Sequence, residues 1–184
     1  MTEQCRCPWG DTDDILMRDY HDAQWGKPCR DEREMFEMLT LEGAQAGLSW
    51  ATILHKRENY HAAFDSWDIA KIAAYDEVKI AELLQNPGIV RNRLKVRSVV
   101  TNAQTVLKLG SLSEFIWGYV DGKPIINALE KQSDLPTTSP LSDRISKDLK
   151  KFGFKFVGST IIYSYLEAIG VINDHLTRCD FRGY

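Results

Sequence analysis

Apolar side chains recur along this chain at three- and four-residue steps with almost no strict alternation, which predicts helices and an all-α fold. Thr12 or Asp13 can cap a first helix running to about Gln24. Asp31 followed by Glu34 is a variant capping box opening a helix from Glu32 to about Ala46. Gly47 breaks that pattern, Ser49 starts another helix reaching Phe64, and shorter helices follow over residues 69–75 and 77–85. Pro87-Gly88 is a strong turn signal. A long helix over 93–109 then turns the stripe Leu94, Val96, Val99, Val100, Ala103, Val106 and Leu107 to the core, with Gly110 closing it. Ser111 and Glu114 read as a capping box for a short helix carrying Phe115, Ile116 and Trp117. Residues 121–139 are polar and turn-rich, a long surface connection. Ser139-Pro140 opens a helix closed by Gly153, and a last hydrophobic helix runs from about Ser159 to Ala168 and stops before Gly170.

With 184 residues, 43% hydrophobic and 27% charged, the chain can bury one sizeable core and is short for two, so one domain over 1–184 is expected. Disordered and fibrous classes are excluded by the same composition. No run approaches the roughly 18 apolar residues of a membrane helix, and the opening MTEQCRCPWGDTDD lacks a signal-peptide layout. A cytoplasmic protein without a membrane partner is expected. There Cys5, Cys7, Cys29 and Cys179 read as free or metal-bound thiols. A net charge of -3 carries no global signature of nucleic-acid binding. Yet residues 1–50 hold eleven Asp/Glu against five Lys/Arg, and residues 88–160 hold twelve Lys/Arg against six Asp/Glu, so one face can be basic. No exposed apolar stripe stands out, which makes a monomer the expectation.

Three constellations could carry chemistry. His175 and Cys179 stand at i, i+4, and Cys5, Cys7 and His21 crowd the other end of the chain. Two Cys with two His make the tetrahedral set of structural zinc, and such an ion would clamp termini that otherwise fray. The competing reading is a satisfied His21 and a buried, inert Cys7. No His-x-Glu…Cys-x-x-Cys layout accompanies these residues, so a bound metal here is structural rather than catalytic. The run Asn86-Pro-Gly88-Ile89-Val90-Arg91-Asn-Arg93-Leu-Lys95-Val-Arg97 places a tight turn before a basic helix start. It reads as a phosphate clamp or as an ordinary turn before a solvated basic face. Lys147, Lys150, Lys151 and Lys155 suit a DNA-facing side or a plain soluble surface. Finally, Glu42 sits on an apolar helix end before Gly47, Leu48 and Trp50. Either it lies on an exposed polar face or, buried, it needs a partner or a ligand. Trp9, Tyr20, Trp25 and Trp50 are ordinary core aromatics by composition, but a box of them floored by a carboxylate suits a flat cationic base.

The stretches Tyr20-His-Asp-x-x-Trp25-Gly, Phe36-Glu-Met-Leu-x-Leu-Glu42-Gly-x-Gln-Ala-Gly-Leu-Ser-Trp50, Lys56-Arg-Glu-Asn-Tyr60, Gly88-Ile-Val-Arg91, Gly153-Phe-Lys-Phe-Val-Gly158 and Asn173-Asp-His175 resemble the bacterial 3-methyladenine DNA glycosylase I family over nearly the whole chain. The resemblance implies a helix-hairpin-helix glycosylase fold with one structural zinc joining the N- and C-terminal segments. It carries the zinc ligands onto Cys7, His21, His175 and Cys179, with Cys7 preferred to Cys5 because it stands two residues before Trp9. It carries the base pocket onto Trp9, Tyr20, Glu42 and Trp50, with Glu42 in the catalytic role. Gly47 and Leu48 resemble the segment that plugs the gap left by an extruded nucleotide. Gly88, Ile89, Val90, Arg91 and Arg93 would meet the DNA backbone. Pro8 and Met17 depart from the family pattern, Met17 standing where a pocket Tyr can occur.

The implied activity is monofunctional removal of 3-methyladenine from alkylated double-stranded DNA, leaving an abasic site. No Gly-x-Pro-Asp follows the hairpin and no hairpin Lys is placed as a Schiff-base nucleophile. That absence is tolerable, because methylation at N3 makes the base cationic and a ready leaving group. Tyr20 and Trp50 would then wall the base, and an ionised Glu42 would accept its N–H groups. The alternative is a zinc-stabilised helical DNA-binding or adaptor protein without activity, which has no need to keep Tyr20, Glu42 and Trp50 together.

Overall fold

The computed structural model describes residues 4–183; residues 1–3 of the opening segment and Tyr184 lie outside them. Among the described residues ten α-helices follow in order: α1 (Ile15–Ala23), α2 (Glu32–Gln45), α3 (Trp50–Leu54), α4 (Arg57–Ala63), α5 (Ile69–Ala73), α6 (Glu77–Leu83), α7 (Arg93–Leu109), α8 (Leu112–Gly118), α9 (Pro140–Phe152) and α10 (Ser159–Ala168). The all-α expectation needs one correction. Two short strands, β1 (Ile125–Ile126) and β2 (Ile172–Asn173), pair in parallel with Ile125 opposite Ile172. The long connection is pinned there by Ile125 N–H to Val171 O and Asn127 N–H to Asn173 O, which gives the backbone around β2 partners it would otherwise lack.

Helix starts follow local cap chemistry. Asp31 accepts from the N–H groups of Arg33 and Glu34, Asn92 from Leu94 and Lys95, and Ser139 exchanges hydrogen bonds with Ser142 ahead of Pro140. α1 is capped by Asp14 rather than Thr12 or Asp13. The expected helix from Ser49 to Phe64 is two, broken at His55 and Lys56, whose side chains reach Asp14 Oδ2 (2.7 Å) and Pro87 O (3.2 Å). At Ser111 the cap is completed by Glu32 of α2 rather than by Glu114: Glu32 takes the N–H groups of Leu112 (3.0 Å) and Ser113 (2.9 Å). That bond fastens α8 to α2.

α2 runs through the middle of the molecule and touches α3, α7, α8 and α10, which is why Met35, Phe36, Leu39 and Leu41 are wholly buried. α5 packs on α7, and α9 on α10. On α7 the buried arc is displaced from the expected stripe: Leu94 and Leu107 are exposed, while Ser98, Asn102 and Thr105 are inside. Asn102 draws that arc inward by clasping the Lys155 backbone in both directions, at 3.0 and 2.8 Å. The chain's two ends meet through Cys5 N–H to Asp180 Oδ2 (2.8 Å) and Asp180 N–H to Cys5 O (2.9 Å). Among the described residues no helix is long and apolar enough to cross a membrane.

Candidate functional site

α1, α2, α3 and α10 converge on a cavity of about 370 Å³ whose aromatic wall is Trp9, Tyr20, Trp25 and Trp50. Tyr20 lies 5.1 Å from Trp50 and 6.2 Å from Trp9 between ring centres, and Trp9 meets Trp25 edge-on at 4.9 Å. Glu42 reaches this wall from the third turn of α2 and is 4% exposed. The four residues named from the sequence, Trp9, Tyr20, Glu42 and Trp50, are therefore brought together. The exposed-face reading of Glu42 is excluded. Among the described residues no group donates a hydrogen bond to it, and burial alone pushes its carboxyl up to about 8. It is mostly protonated at neutral pH. The Trp50 indole N–H is likewise buried without a partner among the described residues. Burial, then the nearby Glu42 and Glu167, hold the Tyr20 phenol protonated well above its ordinary range.

Met17 lines the cavity as the resemblance implied, and five residues that were not read as site residues line it too: Gln45, Gln132, Leu135, Ser164 and Glu167. Ser164 and Glu167 are polar positions three apart in the mainly apolar later part of α10, the same signal that singled out Glu42. Gln45 lies one turn after Glu42. Gln132 and Leu135 belong to the connection read as surface, where no periodicity points inward. Glu167 is buried, and burial together with Asp174 and Glu42 keeps it protonated; Asp174 is held by Asn127 Nδ2 (2.6 Å) and Tyr163 OH (2.7 Å).

Beside this wall lies the cysteine–histidine cluster. Ligand atoms of Cys7, His21 and Cys179, all buried, fall within 4.8 Å of one another. Cys5 is exposed and outside the group. Gly10 makes the packing possible, since a Cβ there would collide with the His21 ring. Asp22 Oδ1 takes His21 Nδ1 at 2.7 Å, and Arg6 grips Asp22 in turn, so His21 Nε2 is turned toward the thiols. Cys179 Sγ is 3.7 Å from that nitrogen, and Leu176 N–H points at Cys7 Sγ (3.4 Å).

His175 is outside the three-residue group but packs on it, 4.8 Å from His21 between ring centres. Its tautomer is fixed by Asn173. That amide's Nδ2 donates to Arg182 O (2.9 Å), so its Oδ1 is the atom that accepts from His175 N–H (3.1 Å) and Nδ1 (2.9 Å). His175 Nε2 is left with a lone pair facing the His21 carbonyl at 3.3 Å, two acceptors with no proton between them. Burial pushes the His175 imidazole down to about 4, so a proton does not fill that gap. A buried lone pair beside two buried thiols is a donor set of the kind zinc prefers.

The turn between α6 and α7 is anchored by the buried Ile89. Its backbone is less free than a bare cradle. Gly88 N–H goes to Asn86 Oδ1 (2.8 Å) and Val90 N–H to Tyr60 OH (3.1 Å), while Arg91 and Arg93 are exposed. A Cβ at Gly88 would press on Asn59, so the turn sits tight against α4. Lys95, grouped by sequence with the basic face, is turned inward to the end of α2. Gly47 (φ +81°) and the half-exposed Leu48 rim a second cavity of about 190 Å³ that shares Glu42, Gln45 and Ser164 with the first.

Residues 9–183 match the family model described as methyladenine glycosylase. The chain is 44% identical to DNA-3-methyladenine glycosylase 1 of Escherichia coli (strain K12), over 95% of each chain. A crystal structure of 3-methyladenine DNA glycosylase I superposes with a TM-score of 0.93 at 47% identity, covering 96% of this chain and 98% of that one. A point variant of 3-methyladenine DNA glycosylase I in complex with 3-methyladenine superposes with a TM-score of 0.93 at 40% identity, covering 97% and 98%.

Proposed function

The chain belongs to the methyladenine glycosylase family, and on that premise we propose that it is a monofunctional DNA glycosylase of base-excision repair. It removes 3-methyladenine from alkylated double-stranded DNA. The observation that carries this reading is the buried, unpartnered Glu42 in an aromatic box. A buried carboxyl without a protein cation is a place where a flat cationic base supplies the missing charge.

The base, once extruded, enters between Trp9, Tyr20 and Trp50, where stacking repays the unpaired stack in DNA. Glu42 then gives up its proton to solvent and accepts hydrogen bonds from the base N–H groups, acting as the residue in direct contact with the leaving group. Because N3-methylation has already made the base cationic, the glycosylic bond breaks with its electron pair going to the base, which departs neutral. Water adds at C1′ and loses its proton to solvent, leaving an abasic site. Holding the cation in a low-dielectric box while the sugar develops positive charge is differential binding rather than acid catalysis.

Leu48, with Gly47, fills the gap in the duplex. Gly88, Ile89, Val90, Arg91 and Arg93 form the hairpin of a helix-hairpin-helix unit that meets the flanking phosphates through the arginine side chains and the remaining backbone N–H groups. Cys7, His21, His175 and Cys179 would hold one structural Zn²⁺, which would neutralise the thiolates and tie the two ends together without a part in bond cleavage. Its site supports the pocket directly: Trp9 packs on His21 at 4.9 Å and Trp25 on His175 at 4.6 Å. The whole chain, 1–184, acts as one monomeric domain in the cytoplasm.

The test is release of 3-methyladenine from methylated duplex DNA by the purified protein beside Glu42→Ala, with released bases separated chromatographically. Release that collapses in the variant is expected. No release by folded, metal-loaded wild type overturns the proposal in favour of a DNA-binding protein without activity.

A further inference from the structure

α2 ends at the critical place in this molecule. Its third turn carries Glu42, and the chain leaves it through Ala46 and Gly47 to Leu48. A helix end leaves carbonyls without intrahelical partners, and Ala46 here bends away without a backbone cap. Gln45 O takes the Leu48 N–H at 2.6 Å, and the carbonyls on either side of it are met by one side chain from elsewhere. Lys95 Nζ donates to Ala44 O at 2.8 Å and to Ala46 O at 2.7 Å, across about fifty residues of sequence.

Lys95 belongs to the first turn of α7, three residues after the N-cap Asn92, whose side chain accepts the Lys95 N–H at 3.1 Å. α7 is the helix that leaves the basic turn carrying Arg91 and Arg93. One ammonium therefore bolts the turn's helix to the carbonyl end of α2, flanking Ala46 and Gly47 directly. Among the described residues no carboxylate accepts from this ammonium. Its partners are the helix-end carbonyls, where a cation is favoured by the aligned peptide dipoles. Lys95 lines a small cavity together with Leu39, Ala44, Val99 and Phe156.

We propose that Lys95 is a positioning residue for base extrusion: it fixes Leu48 and the Glu42 turn in register with the hairpin, so that the plug enters the duplex where the phosphates are held. This rests on the roles proposed above for Leu48, Glu42 and the hairpin. It assigns Lys95 to the spacing between them rather than to the phosphate contact that its place in a basic run suggests. Misplacement of a docked group by about 1 Å can cost about a hundredfold in rate, which is the scale on which such a bolt matters.

The experiment compares wild type, Lys95→Met, Leu48→Ala and the double variant on a duplex with a single 3-methyladenine. It reads the single-turnover excision rate at saturating enzyme, and separately the Kd for undamaged duplex and its salt dependence. Lys95→Met keeps the stem and deletes the donors. Its saturating rate is expected to fall about tenfold or more, with Kd and salt slope unchanged, and in the Leu48→Ala background the further loss is expected to be under about threefold. A 2-aminopurine beside the lesion should lose its extrusion signal in the same proportion. Lys95→Arg, which keeps the donors, should recover most of the rate.

A weaker Kd with a salt slope smaller by about one and an unchanged saturating rate would mark Lys95 as a phosphate contact and overturn the proposal. An unchanged rate, or a full loss in the Leu48→Ala background, overturns it as well. If Lys95→Met does not fold, Lys95→Gln is read by the same criteria. An inactive wild type instead overturns the glycosylase reading on which the proposal rests.

Discussion

Replacing Glu42 by Gln keeps the shape of the pocket floor and removes the titration of that side chain. In the free protein this carboxyl holds its proton up to about pH 8 because burial penalises the anion. At about pH 7 only about one molecule in ten therefore offers a carboxylate, and ionising the rest costs about 1.4 kcal/mol. Capture of a cationic base supplies the opposing charge and releases the proton. The wild-type kcat/KM should thus climb about tenfold per unit of pH below about 8 and level off above it. Glu42→Gln should show no such limb. On the plateau it should lie about ten- to a hundredfold below wild type, the loss of one charge-assisted hydrogen bond of about 1.5–3 kcal/mol. The measurement is single-turnover excision at limiting enzyme across about pH 6 to 9.5, with the uncatalysed loss of the base subtracted. A wild-type profile flat through about pH 8, or a Gln variant with the same limb, refutes the assignment. Stability must move the other way. The folded pKa lies above the unfolded one, so the folded protein binds the extra proton between about pH 4.5 and 8, and the stability this supplies is lost as pH rises through that window. Above about pH 8 the Gln variant should be the more stable in urea, by at most about 5 kcal/mol.

Three further outcomes follow from the rest of the site. Metal analysis should find one zinc per chain, and chelation should lower Tm by about 10 °C, the shift expected for losing about 4 kcal/mol of linked binding in a chain of this size, with a parallel loss of base binding as Trp9 and Trp25 lose their support. Gly10→Ala forces the new Cβ into His21 and should cost about 1–3 kcal/mol in chemical denaturation while lowering the zinc content; full metal occupancy in that variant would break the link. Arg91→Ala and Arg93→Ala should each weaken binding to any duplex alike and reduce the slope of log K against log salt by about one, whereas a sequence-dependent loss would contradict a phosphate role.

The helices were legible because their signals are local. Asp31, Ser111 and Ser139 cap where a short acceptor precedes an apolar period, and Gly153 closes α9 in the left-handed region. Glu42 was legible as an anomaly, a carboxyl on an apolar helix, though only the fold decides that it is buried and alone. What stayed hidden was set by long-range partners. Lys95 reads as one more basic residue after the turn, and nothing within ten residues of it reveals that it serves carbonyls on α2. Glu32 stands in the first turn of its own helix yet also caps α8, some eighty residues on. Gln132 and Leu135 come to the cavity on a connection whose course is fixed by β1 pairing with β2, a two-residue strand too short to leave a period. The metal residues lay between these cases: the residue types were visible at both termini, while the asymmetry between the compact Cys7, His21, Cys179 group and the neighbouring His175 was not.

A pocket tuned by desolvation also decides what happens after the bond breaks. The cation that stabilised the Glu42 carboxylate becomes a neutral base, and with the charge gone the carboxyl again prefers its proton. Free 3-methyladenine should therefore bind the protonated pocket, where Glu42 can donate to a ring nitrogen, and its affinity should fall as pH rises through about 8. Excision from DNA should gain over the same interval. The two limbs have opposite signs because the ligand carries charge in one case and not in the other. Quenching of tryptophan fluorescence by the free base, followed across about pH 6.5 to 9.5, reads the first limb. An affinity for the free base that rises toward about pH 9 would mean that the anion is stabilised by something other than the substrate's charge, and selection of the cation by Glu42 would fall with it.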